Sequence, residues 1–236
     1  MRPTVFLAGA SGVIGRNLVP LLIADGWRVF GTTRSPTKAA EIAAQGAEPV
    51  VVDVFDPEAL SKAVTNAKPK IVIHQLTDLQ PSPSAANLDA SRERNARLRE
   101  VGTCNLVAAA VAAGASRFIA QSISFAYAPG PTPYDESAPL NTGAPGSAGV
   151  TARGVASLER QVLCAPFEGL VLRYGRLYGP DTGTDTAPAN GPLHVSAAAH
   201  AAAIACTRGE PGIYNVAEDD GWVNVNKATG LLGWRP

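Results

Sequence analysis

Residues 6 to 15 read FLAGASGVIG, an apolar run that breaks into three glycines, Gly9, Gly12 and Gly15, spaced three apart. Val5 to Ala8 reads as a short buried strand. Val13 to Asp25 carries Val13, Leu18, Leu21 and Leu22 at helical spacing before Gly26 closes it. Strand, GxxGxxG turn and helix in succession make a phosphate-binding turn. The first glycine allows the tight bend, the second lets a diphosphate approach the backbone, and the third brings helix against strand. The helix N-terminus adds free N–H groups and a positive dipole end, so Ala10, Ser11, Val13 and Ile14 belong to the same cradle.

The rest of the chain repeats this alternation. Strands are expected at Trp27 to Thr32, Pro49 to Val52, Ile71 to His74, Arg117 to Gln121, Leu170 to Arg173 and Gly212 to Val216. Between them lie helices opening at Ser35-Pro36 and Asp56-Pro57, a long one from about Asp89 to Ala113, and others over about Thr151 to Cys164 and Ser196 to Ala205. Successive βαβ units imply an α/β fold, a doubly wound parallel sheet covered on both faces. Pro129 to Gly149, with five prolines and four glycines, reads as a loop draped over a site, and Gly179 to Pro192 as a second loop.

A dinucleotide on the turn would put its adenosine ribose at the end of the second strand, where Gly31-Thr32-Thr33-Arg34-Ser35 offers no carboxylate. Arg34 can pair with a 2′-phosphate, which favours NADP over NAD. Asp53, beside Val54 past the third strand, is placed to accept from the adenine amine.

Twenty lysines and arginines balance twenty aspartates and glutamates, so no global field draws the chain to nucleic acid or an anionic membrane. The opening apolar run is too short for a signal segment or a membrane span, and a cytoplasmic location follows. Cys104, Cys164 and Cys206 lack metal-ligand spacing and read as reduced core residues. Three scattered histidines and no carboxylate cluster argue against a metal.

Taken together, AGASGVIG, DVFD, IVIHQL, GTCNLVAAAVAAG, RFIAQSISFAY, LVLRYGRLYGP and the closing GWRP resemble the extended and atypical short-chain dehydrogenase/reductases, the NAD-dependent epimerase/dehydratase branch. The resemblance spans nearly the whole chain. It implies a Rossmann-type NAD(P)-binding domain over residues 1–178 and a small, shortened C-terminal substrate lobe over 179–236, partly interleaved with it. It further implies that His74, Gln75, Leu76 and Gln121 flank the cofactor and that Arg173, Tyr174 and Gly175 run close to the nicotinamide.

One departure bears on chemistry. The family's Tyr and Lys, four apart on one helix face, exchange a proton with the substrate, the ammonium lowering the phenol's pKa. Aligned on Glu159, that pair becomes Thr151 and Val155, and no lysine occurs between Lys70 and Lys227. Tyr127, Ser122 and Ser124 are then the candidate proton donors, while Arg153 is limited to binding because guanidinium does not deprotonate. Two readings follow. One is an NADP-dependent oxidoreductase or epimerase-like enzyme acting on a small carbonyl or sugar-like substrate with a non-standard acid/base. The alternative is a non-catalytic NAD(P)-binding sensor or partner protein. The small-molecule partner excludes neither, and a homodimer stays open.

Overall fold

A computed structural model describes residues 2–78 and 87–236. Seven strands form one parallel sheet: β1 (Thr4–Ala8), β2 (Arg28–Thr33), β3 (Glu48–Val51), β4 (Ile71–His74), β5 (Arg117–Ile123), β6 (Glu168–Tyr174) and β9 (Gly212–Val216). Their spatial order is β3-β2-β1-β4-β5-β6-β9. The order reverses between β1 and β4, which opens a crevice at the carboxyl ends of those two strands. Two shorter parallel strands, β7 (Arg176–Tyr178) and β8 (Pro192–His194), pair apart from the main sheet, within and beside the segment expected as loop.

Side-chain alternation along each strand divides the apolar interior in two. On β1, Val5 and Leu7 join the core beneath α1 (Val13–Ala24) and α7 (Val195–Ala205), whereas Phe6 and Ala8 join the core shared by α3 (Pro57–Ala67), α5 (Thr103–Ala112) and α6 (Gly146–Leu163). Strands read as continuous apolar runs because both faces are buried. Between β2 and β3 runs α2 (Pro36–Ala44), started by a proline that needs no amide partner, and Asp56 caps α3 by accepting from Ala59 N.

Two expectations change in detail. The long helix is α4 (Leu88–Arg97) and α5 joined by a π-helical turn, Leu98–Gly102, with Gly102 at its end packed under Leu98 and Val54. The α6 helix starts at Gly146, five residues before Thr151, inside the glycine-rich stretch that read as loop. Gly149 is what permits this, since a Cβ there would collide with Ala144 O. Cys104 and Cys164 are exposed and only Cys206 is buried, so the first two correct the expectation of three core cysteines. They lie on the solvent sides of helices, where alanine neighbours gave a false signal of burial.

Much of the 179–236 tail is built into the main body, as β9 beside β6 and α7 against α1. What remains outside the sheet is a satellite cluster in which Tyr127, past the end of β5, and Tyr134, from the proline-rich loop, meet Ala217, Val223 and Val225. No helix among the described residues is long and apolar enough to cross a membrane.

Candidate functional site

The glycine turn is shaped by contacts that leave no room for side chains. Gly9 has φ +96°, and its N–H donates to Thr32 Oγ1 at 3.1 Å. A Cβ on Gly9 would meet Gln75 O at 2.7 Å, and one on Gly15 would collide with Gly9 O. Ala10 and Gly15 are thereby buried behind the turn, while Gly9, Ser11, Gly12, Val13 and Ile14 line its open side. Gly12 is the N-cap of α1 and no side chain caps it, so the N–H groups of the first turn are left for an anion. These residues fit a dinucleotide diphosphate.

The cleft above the turn encloses about 1550 Å³, room for a dinucleotide and an acceptor together. At its end beyond β2 four cations converge: Arg34, Lys38, Arg94 and Arg97. Arg34 Nη2 lies 3.5 Å from Asp78 Oδ1, Arg94 Nε donates to Asp78 Oδ2 at 2.9 Å, and Arg97 stacks on the Phe55 ring at 4.5 Å. Sequence reasoning found Arg34 alone. The i, i+3 pair Arg94 and Arg97 in RERNAR marks one helix face, and that spacing was the available signal. Asp53 does not join them: it is exposed, and its Oδ1 accepts from Phe55 N at 3.0 Å to close a turn. Its neighbour Val54 does line the cleft.

At the opposite end, Gln75, Gln121, Ile123, Tyr174 and Gly175 form the floor where β4, β5 and β6 stop, with Leu76 beside them. Gln75 Nε2 donates to the Tyr174 hydroxyl at 3.2 Å. The other pole of that amide, Oε1, is buried with no partner among the described residues, an acceptor that a ligand donor in the cleft would satisfy. Burial pushes the Tyr174 phenol well above its ordinary pKa, so it stays protonated.

Several expected residues stand elsewhere. His74 points to the other face of the sheet: its Nε2 lies 3.0 Å from Thr103 Oγ1, and its Nδ1 accepts from Leu76 N at 3.2 Å. Burial, with Arg99's charge second, lowers its pKa to about 4 and holds it neutral. Arg173 is buried on Glu159 and outside the cleft lining. Ser122 donates to the same Glu159 Oε1 at 2.8 Å. Tyr127, expected as a proton donor, donates to Asn215 Oδ1 at 2.6 Å and accepts from Arg173 Nη1 at 2.9 Å. Ser124 is fully buried with its hydroxyl unpartnered among the described residues. Strand alternation explains the misplacement: Gln121 and Ile123 face the cleft, so Ser122 cannot. On α6, Val155 is buried against Ile123 and Ala152, and Arg153 is tied to Thr142 O at 3.0 Å.

Residues 9–148 match the sequence profile of a family described as NAD(P)H-binding. The chain belongs to the NAD(P)H-binding family. The glycine turn at Gly9 to Gly15 stands at the start of the matched segment. A curated relative, the 3-diazoavenalumate denitrifying reductase of a Streptomyces sp, is 48% identical over 184 residues, 76% of this chain and 58% of that protein. The decarboxylating sterol-4-alpha-carboxylate 3-dehydrogenase of Dictyostelium discoideum is 32% identical over 93 residues, 37% of this chain and 28% of that one. This chain thus spans less than two thirds of either relative. Among solved structures, the UDP-glucose 4-epimerase of Thermotoga maritima with UDP-glucose superposes with TM-score 0.80 at 17% identity, over 99% of this chain and 93% of that one. Bordetella bronchiseptica WbmG in complex with NAD and UDP gives 0.74 at 19%, over 98% and 88%. These superpositions show the Rossmann-type α/β fold expected from the sequence.

Proposed function

We propose that the chain is an NADPH-dependent reductase whose hydride acceptor needs no proton from a side chain. One observation carries this. Among the described residues Tyr174 is the one tyrosine lining the cleft, burial keeps it neutral, and the lysine that would activate such a phenol is replaced by buried Val155. A carbonyl reductase must deliver a proton along with the hydride. An acceptor with a departing neutral group does not.

A diazo-bearing aromatic ring, the kind of compound in the name of the Streptomyces relative, is an acceptor of this type. NADPH held in the cleft would supply hydride to the ring carbon; the C–N pair would leave with N2, and the positive charge would pass from the arenediazonium to NADP⁺ with no proton gained or lost. The chain's own residues hold the reactants. Gln75 and Gln121 orient polar groups at the cleft floor, Ile123 presents apolar surface, and the four cations at the far end favour the 2′-phosphate of NADPH over NADH. Residues 1–178 carry the cofactor side and the Gln121, Ile123 and Tyr174 floor of the acceptor end, while 179–236 add β9 to the sheet and α7 against α1.

The test is turnover of an arenediazonium salt with NADPH deuterated at C4, against heat-denatured protein. Cofactor oxidation matched by deuterium on the ring carbon is expected. Reduction of aldehydes or sugar nucleotides with the diazonium untouched would overturn the reading, and NADPH binding without any turnover would favour the sensor.

A further inference from the structure

Phe125 and Arg176 emerge side by side at the acceptor end of the cleft. Phe125 lies two residues beyond Ile123 at the end of β5, and Arg176 two residues beyond Tyr174 at the end of β6; Ile123 and Tyr174 are register partners across those strands. Arg176 Cζ sits 4.5 Å from the centroid of the Phe125 ring. Both line the cleft, and Phe125 is 36% exposed, unlike the fully buried Phe6 and Phe118 of the core beneath α3, α5 and α6.

The other guanidinium groups around the cleft have occupations. Arg16 meets Asp181, Arg34 and Arg94 share Asp78, and Arg97, stacked on Phe55, belongs to the adenosine end with its phosphate. The Arg176 backbone N–H donates to Gly191 O at 2.7 Å, but its guanidinium forms no ion pair and donates no hydrogen bond among the described residues; its one contact of note is the ring of Phe125. A cation held flat on an aromatic face keeps its N–H edge free to fork onto a carboxylate. The reduced nicotinamide is uncharged, and the diphosphate is met at the Gly9 to Gly15 turn. A spare guanidinium at this end therefore answers a charge on the acceptor.

Resting on the reductase reading above, we infer that Arg176 and Phe125 form an acceptor subsite for a planar conjugated acid. Arg176 takes the carboxylate, and the exposed ring of Phe125, with Ile123 and Leu177 lining the cleft nearby, takes the flat apolar body. The pair selects substrates by charge and shape without touching hydride transfer itself.

Two titrations test this on the whole chain. In calorimetry with NADP⁺ present, the wild type binds 4-hydroxycinnamate about tenfold more tightly than its methyl ester, the worth of one charge-assisted hydrogen-bonded pair. Arg176→Gln levels acid and ester, Arg176→Lys restores part of the difference, and Phe125→Leu weakens both together. In a parallel fluorescence titration, NADPH affinity is unchanged by Arg176→Gln. Equal wild-type affinity for acid and ester overturns the subsite, as does a loss of NADPH affinity in Arg176→Gln, which would assign the guanidinium to the cofactor. A preference for the acid without diazonium turnover would leave the subsite standing and fail only the reductase reading.

Discussion

Arg173 and Glu159 face each other as a closed fork, Nε to Oε1 at 2.8 Å and Nη2 to Oε2 at 2.7 Å, with side-chain exposures of 3% and 6%. The pair ties β6 to α6 across the interior. Desolvating two charges offsets most of their attraction, so the pair adds little net stability, yet breaking it strands a buried charge. Glu159→Ala is expected to cost about 3–5 kcal/mol in urea unfolding. Replacing both residues by methionine and leucine recovers most of that loss.

The same network predicts the behaviour of Tyr127. Its hydroxyl bridges Arg173 and Asn215, and burial raises its pKa. Tyr127→Phe removes one donor and one acceptor from buried partners, a loss of about 1–3 kcal/mol. Turnover per folded molecule is expected to stay within about twofold, since no reacting group is removed. A collapse of kcat with unchanged stability would return Tyr127 to the chemistry.

Two glycines of the turn separate by geometry. Gly15→Ala would drive a methyl into Gly9 O and Ala10, whereas Gly12→Ala meets Gly9 O at 3.3 Å, a gap that small shifts relieve. Gly15→Ala is expected to abolish NADPH binding in a fluorescence titration and lower the melting temperature. Gly12→Ala keeps the fold while weakening the cofactor, because its methyl stands where the diphosphate must approach.

Arg34 projects into the cleft more than half exposed, at 60% of its side-chain surface, and among the described residues a long contact to Asp78 is its one ion pair. Arg34→Gln is expected to raise the Kd for NADPH by about tenfold and to leave that for NADH within about twofold. Equal effects on both cofactors would show that the guanidinium reads something other than the 2′-phosphate.

His74 gives the chain a signature in acid. Its folded pKa is about 4 against 6.5 in the unfolded chain. Between those values the unfolded state binds a proton that the folded state refuses, so stability is complete above pH 6.5 and falls as pH drops toward 4. The loss attached to this one group is on the order of 3 kcal/mol. Urea midpoints measured near pH 7 and pH 5 are expected to draw together in His74→Gln.

The parallel fold was legible because its signals are local: the glycine turn after β1, the proline-led starts of α2 and α3, and apolar runs at strand length. Arg34 was legible for the same reason, being fixed by its distance along the chain from that turn. The acceptor end was not. Whether Ser122 or Gln121 faces the cleft depends on a one-residue register in β5, and period-two alternation turns a single-residue error into the wrong side of the sheet. Tyr127 was misread because its partners, Arg173 and Asn215, lie 46 and 88 residues away and carry no mark in the local sequence. Arg176 and Phe125 escaped notice because their contact exists only once β5 and β6 are paired.

The position of β9 at the margin of the sheet has a consequence for synthesis. Strand β6 is finished at residue 174, but its outer neighbour begins only at Gly212. During translation the row of amides and carbonyls on that flank stays bare until Gly212 to Val216 has left the ribosome, and an uncovered strand is a template for other chains. The half of the cleft built on β6, where Tyr174 and Arg176 stand, thus matures last, while the diphosphate cradle at the opposite end can settle early.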